Sequence, residues 1–357
     1  MTSARRVLIL GATSYVAQFI CKRFLYEIDE ATAKNVTVAC TVRTQVTATT
    51  ELPNGFIPAS APSASSRTQR TISVFGGVDI TDEASLTACI DRFQPDIVIN
   101  CIAMSSPAVC ERNPTLATTI NEPNHLISSI SRQQKPIRLI HFSTDFVYSG
   151  TTPPRTGYKE EDAVLSADQC VYSASKLRFD QYLKRQHPSH LDAVVLRIAN
   201  VVGPPAPLFH DQSPKFMEWL HRQLYLADSS CDGVRLWSDE IRSFIFVEDI
   251  ARVVWKLVDQ SPQEPSVEIF NLGGEEALSR VDIAERYCAF MASIMQTVEH
   301  RSIAPCARTS ITMGYHAPLD ATMDSSRLKG YLPGLQLTSS SDYLQEIGRC
   351  MLEKQLN

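Results

Sequence analysis

Positive charge is too scarce in this sequence for a protein that binds a polyanion. The 357 residues include 34 Lys and Arg against 39 Asp and Glu, for a formal net charge of −5. Nucleic-acid binding depends on clustered cationic side chains that neutralise successive phosphates. Because no dense Lys/Arg stripe is visible along the chain, we expect no nucleic-acid partner.

Long apolar runs are also missing. Near the start, the run Val7–Leu10 stops at Gly11 after only four residues, whereas the core of a signal peptide needs about 7–15 apolar residues. No other stretch approaches the roughly 20 apolar residues that cross a bilayer. From the sequence we therefore expect no membrane contact and a cytoplasmic location.

The ten cysteines form no C-x-x-C pair, the spacing that is typical of zinc sites and of small disulfide frameworks. Three histidines, His141, His210 and His316, stand alone, without partners at metal-ligand spacing. We expect free thiols in a reducing compartment and no metal site.

What the chain does have is the composition of an ordinary globular protein, with 44% hydrophobic and 20% charged residues. Its length exceeds the roughly 250–300 residues at which one hydrophobic core stops growing. We predict a larger domain over residues 1–200 and a smaller lobe over residues 201–357, with segments of the lobe returning to the first domain. The segment Pro204–Pro207 marks the change in sequence character.

Short β-branched runs alternate with helix-like stretches through the first 200 residues. The predicted strands are Val7–Leu10, Val36–Val42, Ile72–Phe75, Ile97–Cys101, Leu139–Ser143 and Ala193–Arg197. The predicted helices are Phe19–Ile28, Glu83–Phe93, Leu116–Gln133 and Tyr172–Arg185. Runs that are apolar on both faces favour a parallel sheet covered by helices. We predict an α/β fold, a doubly wound parallel sheet of the Rossmann type with a smaller C-terminal mixed α/β lobe, and a long surface loop at residues 44–71.

The segment Gly11–Ala17, Gly-Ala-Thr-Ser-Tyr-Val-Ala, lies between the first strand and a helix. A pyrophosphate needs a tight turn, close backbone approach and a helix N-terminus whose free N–H groups attract anions. In a G-x-x-G-x-x-G pattern, Ser14 and Ala17 replace the second and third glycines. The segment therefore predicts a dinucleotide-binding loop in the domain of residues 1–200. A strand-to-helix turn that binds no ligand is the alternative interpretation.

Arg43 follows the second predicted strand, where such a domain meets the adenosine ribose. An acidic residue at this place binds the 2′-hydroxyl of NAD, whereas an arginine accommodates a 2′-phosphate. The sequence thus favours NADP over NAD, with a solvated surface arginine as the alternative. Asp79 and Ile80, after the third strand, are placed at the adenine edge.

Tyr172 and Lys176 are four residues apart at the start of a predicted helix, so both side chains lie on one face. A carbonyl that is reduced by hydride must receive a proton, and an adjacent ammonium would move the pKa of a tyrosine from about 10 toward neutrality. The hydroxyl of Thr144 or Ser143, at the end of a predicted strand, would orient the carbonyl oxygen. A Tyr172 packed in the core beside a solvated lysine is the alternative.

Five motifs together resemble the extended short-chain dehydrogenases/reductases, and among them the branch of the dTDP-4-dehydrorhamnose reductases and of the regulatory β subunit of methionine adenosyltransferase. The motifs, ordered over about residues 5–280, are Gly11–Ala17, Phe93–Cys101, Ser143–Gly150, Tyr172–Lys176 and Val195–Arg197. The resemblance implies transfer of a hydride from NADPH to a 4-keto sugar on a nucleotide, with Asn100 at the cofactor cleft and Thr144, Tyr172, Lys176 and Ser143 as catalytic residues. The candidate cofactor contacts are Gly11, Thr13, Ser14, Tyr15, Val16, Arg43, Asp79, Ile80, Cys101, Ile102, Ala103, Ser143, Tyr172, Lys176 and Ile198.

Two other functions stay open on the same scaffold. One is a non-catalytic regulatory subunit that binds NADP and a methionine adenosyltransferase catalytic subunit. The string Gly150–Pro154 followed by Glu160–Asp162 resembles that subunit, whereas Met351–Asn357 does not match its C-terminal tail. The other is sugar-nucleotide epimerase or dehydratase chemistry. The segment Ile198–Gly203 lacks the Ser-Trp of the rhamnose reductases, so the substrate stays open, as does a homodimer.

Overall fold

Strands and helices alternate through the first 200 residues of this computed structural model, which describes residues 4–60, 70–150, 156–166, 168–186, 191–209, 213–227, 233–260, 265–295 and 300–356. In chain order the elements of this part are β1 (Arg5–Leu10), α1 (Tyr15–Tyr26), α2 (Glu30–Lys34), β2 (Val36–Thr41), β3 (Phe56–Pro58), β4 (Ile72–Phe75), α3 (Glu83–Phe93), β5 (Ile97–Asn100), α4 (Pro107–Arg112), α5 (Pro114–Asn121), α6 (Asn124–Ser131), β6 (Ile137–Thr144), α7 (Val171–Gln186) and β7 (Leu191–Ile198). Each predicted strand is present, with its ends shifted by a few residues at most.

The second part of the chain is built from shorter elements. They are β8 (Val201–Val202), α8 (Phe216–His221), β9 (Val234–Trp237), β10 (Ile241–Arg242), β11 (Ile245–Phe246), α9 (Val247–Asp259), β12 (Val267–Leu272), α10 (Arg280–Met295), β13 (Ile303–Cys306), β14 (Asp320–Ala321), α11 (Ser326–Tyr331) and α12 (Ser340–Leu356). Three two-stranded sheets pair β10 with β14, β11 with β8 and β13 with β9. This part is the smaller mixed α/β lobe.

The main sheet has eight strands in the order β12-β7-β6-β5-β1-β2-β4-β3, and every pairing in it is parallel. β1 lies between β2 and β5. The strands that follow β1 in the chain are added first on the β2 side, and from β5 onward on the other side, so the strand order reverses at β1. Ligands of such sheets bind in the crevice outside the carboxyl ends of the strands at this switch point. The predicted doubly wound parallel fold is confirmed. β12, although it lies far beyond residue 200, completes the sheet beside β7.

Two details differ from the sequence-based expectation. The segment 44–71 is not loop throughout, because Phe56–Pro58 forms β3 and pairs with β4 at the edge of the sheet. Phe56 is buried against Phe209, with ring centroids 5.6 Å apart, and this contact comes from residues too distant in sequence for a local pattern to reveal. Residues 61–69 of the predicted loop lie outside the described residues.

The single helix predicted over Leu116–Gln133 is also wrong. The structure divides this region into α5 and α6 at Glu122–Pro123. Proline has no N–H and its ring clashes with the preceding turn, so it ends or kinks a helix. Apolar periodicity continues across the break because Ile120 of α5 and Leu126 of α6 pack against the same hydrophobic cluster.

The core lies on both faces of the main sheet, with a separate cluster in the smaller lobe. The two parts are joined by α9, which packs against α1: the Trp255 indole N–H donates to the Ile20 carbonyl at 3.0 Å, and its ring stacks on Phe24 at 5.7 Å. Among the described residues, no helix is long and apolar enough to cross a membrane.

Candidate active site and cofactor cleft

A cavity of about 410 Å³ opens at the carboxyl ends of β1, β2 and β5. This volume lies within the range of small-molecule sites. The lining residues are Gly11, Thr13, Ser14, Thr41, Val42, Arg43, Thr44, Val78, Asp79, Ile80, Cys101, Ile102, Ala103 and Ile120. Nine of the residues that the sequence proposed as cofactor contacts therefore lie around one cavity, at the switch point of the sheet.

Gly11 follows β1 in a conformation that a side chain would not tolerate. Its φ is +78°, and a Cβ atom there would lie 2.6 Å from Cγ1 of Ile102. Both the left-handed backbone and the contact require glycine. The glycine lets the chain turn sharply from β1 into α1, so the start of the helix faces the cavity.

Ser14, in the position of the second glycine, is the N-cap of α1. Its Oγ accepts the N–H of Ala17 at 3.3 Å, with φ −67° and ψ 148°. The first N–H groups of a helix have no partner within the helix, and this cap satisfies one of them. The N–H groups of Tyr15 and Val16 lie in the same first turn, where an anion would bind.

The side chains of Tyr15 and Val16 do not line the cavity. The Tyr15 hydroxyl donates to the Pro204 carbonyl at 2.7 Å, and Val16 packs against the core. One turn further along, Gln18 Oε1 accepts the N–H groups of Leu208 and Phe209 at 3.0 and 2.8 Å. This side of α1 thus connects the loop to the segment where the second part of the chain begins.

Arg43 and Asp79 place opposite charges in the cavity wall. Asp79 Oδ1 accepts the N–H of Thr81 at 2.9 Å and its hydroxyl at 2.7 Å. These bonds, with a smaller contribution from the charge of Arg43, lower the pKa of Asp79. The carboxylate is therefore held charged and in place, whereas Arg43 is exposed.

The second group of candidate residues lies where β6 ends and α7 begins. Tyr172 is half-buried, and its ring meets the edge of Phe146 at 5.7 Å. Burial raises the pKa of Tyr172, and a hydrogen bond with Thr144 lowers it by less. The pKa of Tyr172 thus lies above its ordinary value, not shifted toward neutrality as the sequence led us to expect.

Ser143 and Thr144 point to different neighbours because successive side chains of a strand alternate. The Ser143 hydroxyl donates to Asp180 Oδ2 at 2.9 Å, and Arg197 Nε donates to the same oxygen at 2.9 Å. Of the two hydroxyls that the sequence offered, Thr144 is the one that contacts Tyr172. Ile198, half-buried at the end of β7, pairs in register with Thr144 and is not part of the cavity lining.

Lys176 is directed into the protein. It is 1% exposed, and its Nζ lies 3.1 Å from Nε2 of His141. Burial lowers the pKa of Lys176 to about 8, against a smaller opposite effect of Asp180. The amine therefore contacts an imidazole, and burial is the main cause of the raised pKa of Tyr172.

Sequence reasoning missed a cluster of arginines beside this site. Arg242 is fully buried, with Nη2 3.1 Å from Glu240 Oε1 and Nε 3.4 Å from Asp145 Oδ2. Its guanidinium lies 5.6 Å from the ring centroid of Phe146, the ring that contacts Tyr172. Two more guanidinium groups approach Glu240: Arg280 Nε at 3.3 Å and Arg308 Nε at 3.8 Å.

The charges in this arginine cluster do not balance. Three guanidinium groups face two carboxylates, and the buried Nε of Arg308 has no hydrogen-bond partner. Burial raises the pKa of Asp145 to about 6 despite the charge of Arg242. The cluster thus offers positive charge next to Tyr172. The arginines come from residues 242–308, and no motif in the sequence indicates that they meet.

These features fit a dinucleotide. The Gly11 turn, the free N–H groups at the start of α1 and the switch-point position suit a pyrophosphate. The Thr144 hydroxyl and the Tyr172 phenol lie where β6 ends and α7 begins. Fold and site together define the class of NAD(P)-dependent short-chain dehydrogenases/reductases. Residues 7–273 match the family model described as the NAD dependent epimerase/dehydratase family, and the chain belongs to that family.

Two curated relatives illustrate the range of the family. The chain is 27% identical over 267 residues to the probable low-salt glycan biosynthesis reductase Agl14 of Haloferax volcanii, covering 74% of this chain and 81% of that protein. It is 25% identical over 328 residues to methionine adenosyltransferase 2 subunit beta of Bos taurus, covering 91% of this chain and 82% of the other.

Solved structures share the fold. The dTDP-4-dehydrorhamnose reductase of Bacillus anthracis, in complex with NADP, has a TM-score of 0.68 at 17% identity and covers 98% of this chain and 99% of its own. The UDP-glucose 4-epimerase of Bifidobacterium longum, in complex with NAD+ and UDP, has a TM-score of 0.71 at 17% identity, with the same coverage of 98% and 99%. At these identities the likeness shows the fold and no more.

Proposed function

We propose that this protein is an NADP-dependent reductase that reduces a keto group of a nucleotide-linked sugar, with a 4-keto-6-deoxy sugar as the leading candidate. The observation that carries the proposal is the contact between Thr144 and Tyr172 at the carboxyl end of β6. A protonated phenol beside a second hydroxyl is suited to bind a carbonyl oxygen and to donate a proton to it.

In the proposed mechanism, the nicotinamide supplies the hydride. The Thr144 hydroxyl orients the carbonyl oxygen of the substrate, and the Tyr172 Oη donates its proton to that oxygen as negative charge develops. The raised pKa of Tyr172 keeps this proton on the phenol before the reaction. Lys176, four residues further along α7, contacts His141 and has no proton-transfer step in this mechanism. Ser143 would act through Asp180, which it binds.

Arg43 supports NADP rather than NAD. It is exposed in the wall of the cavity just after β2, which is where the ribose of a bound dinucleotide lies in this fold. A guanidinium can bind a 2′-phosphate with two hydrogen bonds. Asp79, the acidic residue of the same wall, has its Oδ1 bound to Thr81, so this oxygen is already engaged.

The arginine cluster of Arg242, Arg280 and Arg308 supports an anionic substrate. Its excess of positive charge lies against Phe146 and thus close to Tyr172. A phosphate is the kind of group that an arginine cluster binds. We propose that residues 1–200 with β12 hold the dinucleotide, and that residues 201–357 provide the charged part of the substrate site.

The test is a reduction assay with the purified protein, NADPH and a dTDP-linked 4-keto-6-deoxyhexose, followed by the absorbance of the reduced nicotinamide. We expect oxidation of NADPH that depends on the sugar. A protein that binds NADPH but gives no turnover with this substrate would contradict the proposed function. Conversion of UDP-glucose with bound NAD and without net oxidation would instead indicate an epimerase.

A second function has a specific observation in its favour. The match to methionine adenosyltransferase 2 subunit beta extends over 91% of this chain, well beyond residue 273. The string Gly150–Pro154 that resembles that subunit lies mostly outside the described residues, since 151–155 are not described. A regulatory role would be shown by a stable complex with a purified methionine adenosyltransferase catalytic subunit in analytical ultracentrifugation. If no complex forms, the regulatory role is contradicted and the reductase proposal is unaffected.

A further inference from the structure

Three prolines stiffen the segment where the second part of the chain begins, residues 204–209, which we call the proline segment. Its sequence is Pro-Pro-Ala-Pro-Leu-Phe. Proline has a fixed φ and no backbone N–H, so Ala206, Leu208 and Phe209 supply the amide hydrogens of the segment. Two of these, those of Leu208 and Phe209, are donated to one atom, Oε1 of Gln18, at 3.0 and 2.8 Å. The backbone of the proline segment therefore depends on a side chain of α1.

Gln18 also binds the loop that leads into α1. Its side chain is fully buried, and its Nε2 donates to the carbonyl oxygen of Thr13 at 3.1 Å. Thr13 lines the cavity at the switch point, whereas Gln18 is not among the lining residues. Gln18 thus joins the loop to the proline segment without itself reaching the ligand site.

The three hydrogen bonds of Gln18 require an amide. Its oxygen has two lone pairs, and both are used by the N–H groups of Leu208 and Phe209. Its nitrogen supplies the donor for Thr13. A carboxylate has the acceptors but no donor, and an apolar side chain has neither. Because the amide is one rigid group, the orientation that suits Thr13 also sets the position of the oxygen that holds the segment.

Two further contacts fix the ends of the proline segment. At its start, the Pro204 carbonyl accepts the hydroxyl of Tyr15, in the first turn of α1, at 2.7 Å. At its end, the ring of Phe209 meets the edge of Phe56 on β3, with ring centroids 5.6 Å apart. The segment therefore lies against the start of α1, and Gln18 contacts both the segment and the loop.

We propose that Gln18 is a positioning residue that couples the proline segment to the loop at Thr13, so that a dinucleotide bound at the loop also holds the segment in place. An anion at the first turn of α1 restrains the peptide group that precedes it, and the carbonyl of that peptide is the one that Gln18 binds. Such coupling is reciprocal, so the segment in turn contributes to the affinity for the dinucleotide. The inference rests on the proposed function only in taking a dinucleotide as the ligand of the loop.

Hydrogen–deuterium exchange of the full chain tests the coupling. In a fragment that spans the proline segment, Leu208 and Phe209 carry two of the three amides of that segment. With NADP+ at about 100 times its Kd, exchange at these amides should slow by at least about tenfold, because the segment then opens only with loss of the ligand. Unchanged exchange at that concentration would overturn the proposal.

Two variants of Gln18 separate its acceptor from its donor. In Gln18→Met, the amides of Leu208 and Phe209 should exchange faster in the free protein, and NADP+ should protect them far less. Gln18→Glu, measured at pH 8 where the carboxylate only accepts, should keep these amides protected in the free protein but lose the added protection by NADP+. Protection by NADP+ of the original size in Gln18→Met would overturn the proposal.

The affinity for NADP+ gives a second readout. Gln18→Met should weaken binding by about tenfold, within the usual range of coupling between sites, although the side chain lies outside the cavity lining. Phe209→Leu, which loosens the far end of the proline segment from Phe56, should cause a smaller loss. The double variant should bind as Gln18→Met does, because its segment has already lost its connection to the loop. Losses that multiply in the double variant would overturn the proposal.

Ile20→Val is the matched control, because Ile20 is fully buried on the same helix and its side chain has no hydrogen-bonding group. It should lower stability but leave the protection by NADP+ and the affinity for NADP+ unchanged. Loss of protection in this variant would show that packing of α1 alone holds the segment and would overturn the proposal. The reduction assay separates the two proposals: turnover without protection of the segment overturns only this inference, and protection without turnover overturns only the proposed function.

Discussion

Two regions of the candidate site at the carboxyl edge of the main sheet, an open end and a buried end, are built in opposite ways. At the end formed by Gly11, Ser14 and Arg43, the wall consists of backbone N–H groups, one sharp turn and an exposed guanidinium. At the other end, Lys176 and His141 are buried side chains that each bind the next. Ligand binding at the first end depends mainly on the backbone conformation. Chemistry at the second end depends on hydrogen bonds between buried side chains, where the protonation state of one group affects the next.

This difference predicts where substitutions act. At the open end, one side chain should change affinity moderately, because solvent replaces a lost contact. At the buried end, a substitution that removes a single polar atom should change the rate or its pH dependence strongly. The group that loses its hydrogen-bond partner there has no solvent to replace it. Four substitutions separate these effects.

The largest effect is expected from Tyr172→Phe at the buried end. Loss of the phenol proton should reduce turnover by about 10²- to 10⁴-fold, the usual value of general acid catalysis, and should change NADPH affinity by no more than a few fold. Steady-state rates and fluorescence titration with NADPH measure the two quantities. Tyr182→Phe, the same change farther along α7, should leave the rate intact. A Tyr172→Phe variant with the original rate would remove Tyr172 from the mechanism.

Gly11→Ala tests how far the open end depends on its backbone. The added Cβ meets Ile102 at 2.6 Å in a left-handed conformation, so we expect a loss of about 3 kcal/mol in the free energy of unfolding and loss of NADPH binding. Gly314→Ala is the control, because its φ is +72° and nothing lies within 4 Å of the new atom. It should cost only about 1 kcal/mol, from backbone strain alone. Equal costs in urea unfolding would show that the contact with Ile102 is unimportant.

Asp145→Asn tests the pH dependence of the buried end. The folded-state pKa of Asp145, about 6, lies above the ordinary value of 3.8, so the folded protein holds a proton that the unfolded chain has released. Stability should therefore decrease as the pH rises through this window, by about 1–2 kcal/mol between pH 5 and pH 7.5. Asparagine cannot ionise, and the variant should lose this decrease in urea unfolding at the two pH values.

Asp29→Asn provides the opposite sign. Asp29 is an exposed N-cap whose pKa is lowered by hydrogen bonds from Thr32, so its contribution is lost as the pH falls through that lowered value. If Asp145→Asn retained the full decrease of stability with rising pH, the carboxylate would be shown to ionise as it does in water.

Arg43→Ala should have the smallest effect. We expect about tenfold weaker binding of NADPH, equal to about 1.4 kcal/mol, and unchanged binding of NADH, because only the 2′-phosphate loses a partner. Titration of both dinucleotides measures the ratio. Arg132→Ala removes the same charge from the surface at α6 and should alter neither affinity. Equal losses for NADPH and NADH would mean that Arg43 does not recognise the 2′-phosphate.

Much of the fold could be predicted because its signals are local. β-branched runs identified the strands from β1 to β7 apart from β3, and the spacing of Tyr172 and Lys176 placed both on one helix. The strand at Phe56–Pro58 was missed since three residues carry no pattern. The break at Pro123 was missed since apolar periodicity continued through it.

The candidate site was predicted at its open end and only in part at its buried end. Gly11, Arg43 and Asp79 lie one, two and four residues after strands whose carboxyl ends must share one edge of a parallel sheet, so their place around one cavity follows from chain order. For Thr144, Tyr172 and Lys176, residue type and spacing indicated the chemistry. The sequence could not show that Lys176 meets His141, or that Ser143 binds Asp180 instead of a substrate.

The amino-acid sequence by itself determined the alternation of strands and helices, the turn at Gly11 and the residue types needed for proton and hydride transfer. These depend on contacts within one or two elements, which neighbouring residues specify. Only the tertiary structure decided how Lys176 is partnered, which hydroxyl faces Tyr172 and that Arg242, Arg280 and Arg308 share Glu240. These contacts join distant residues, and burial of each charge sets its pKa through the solvent that the surrounding elements exclude.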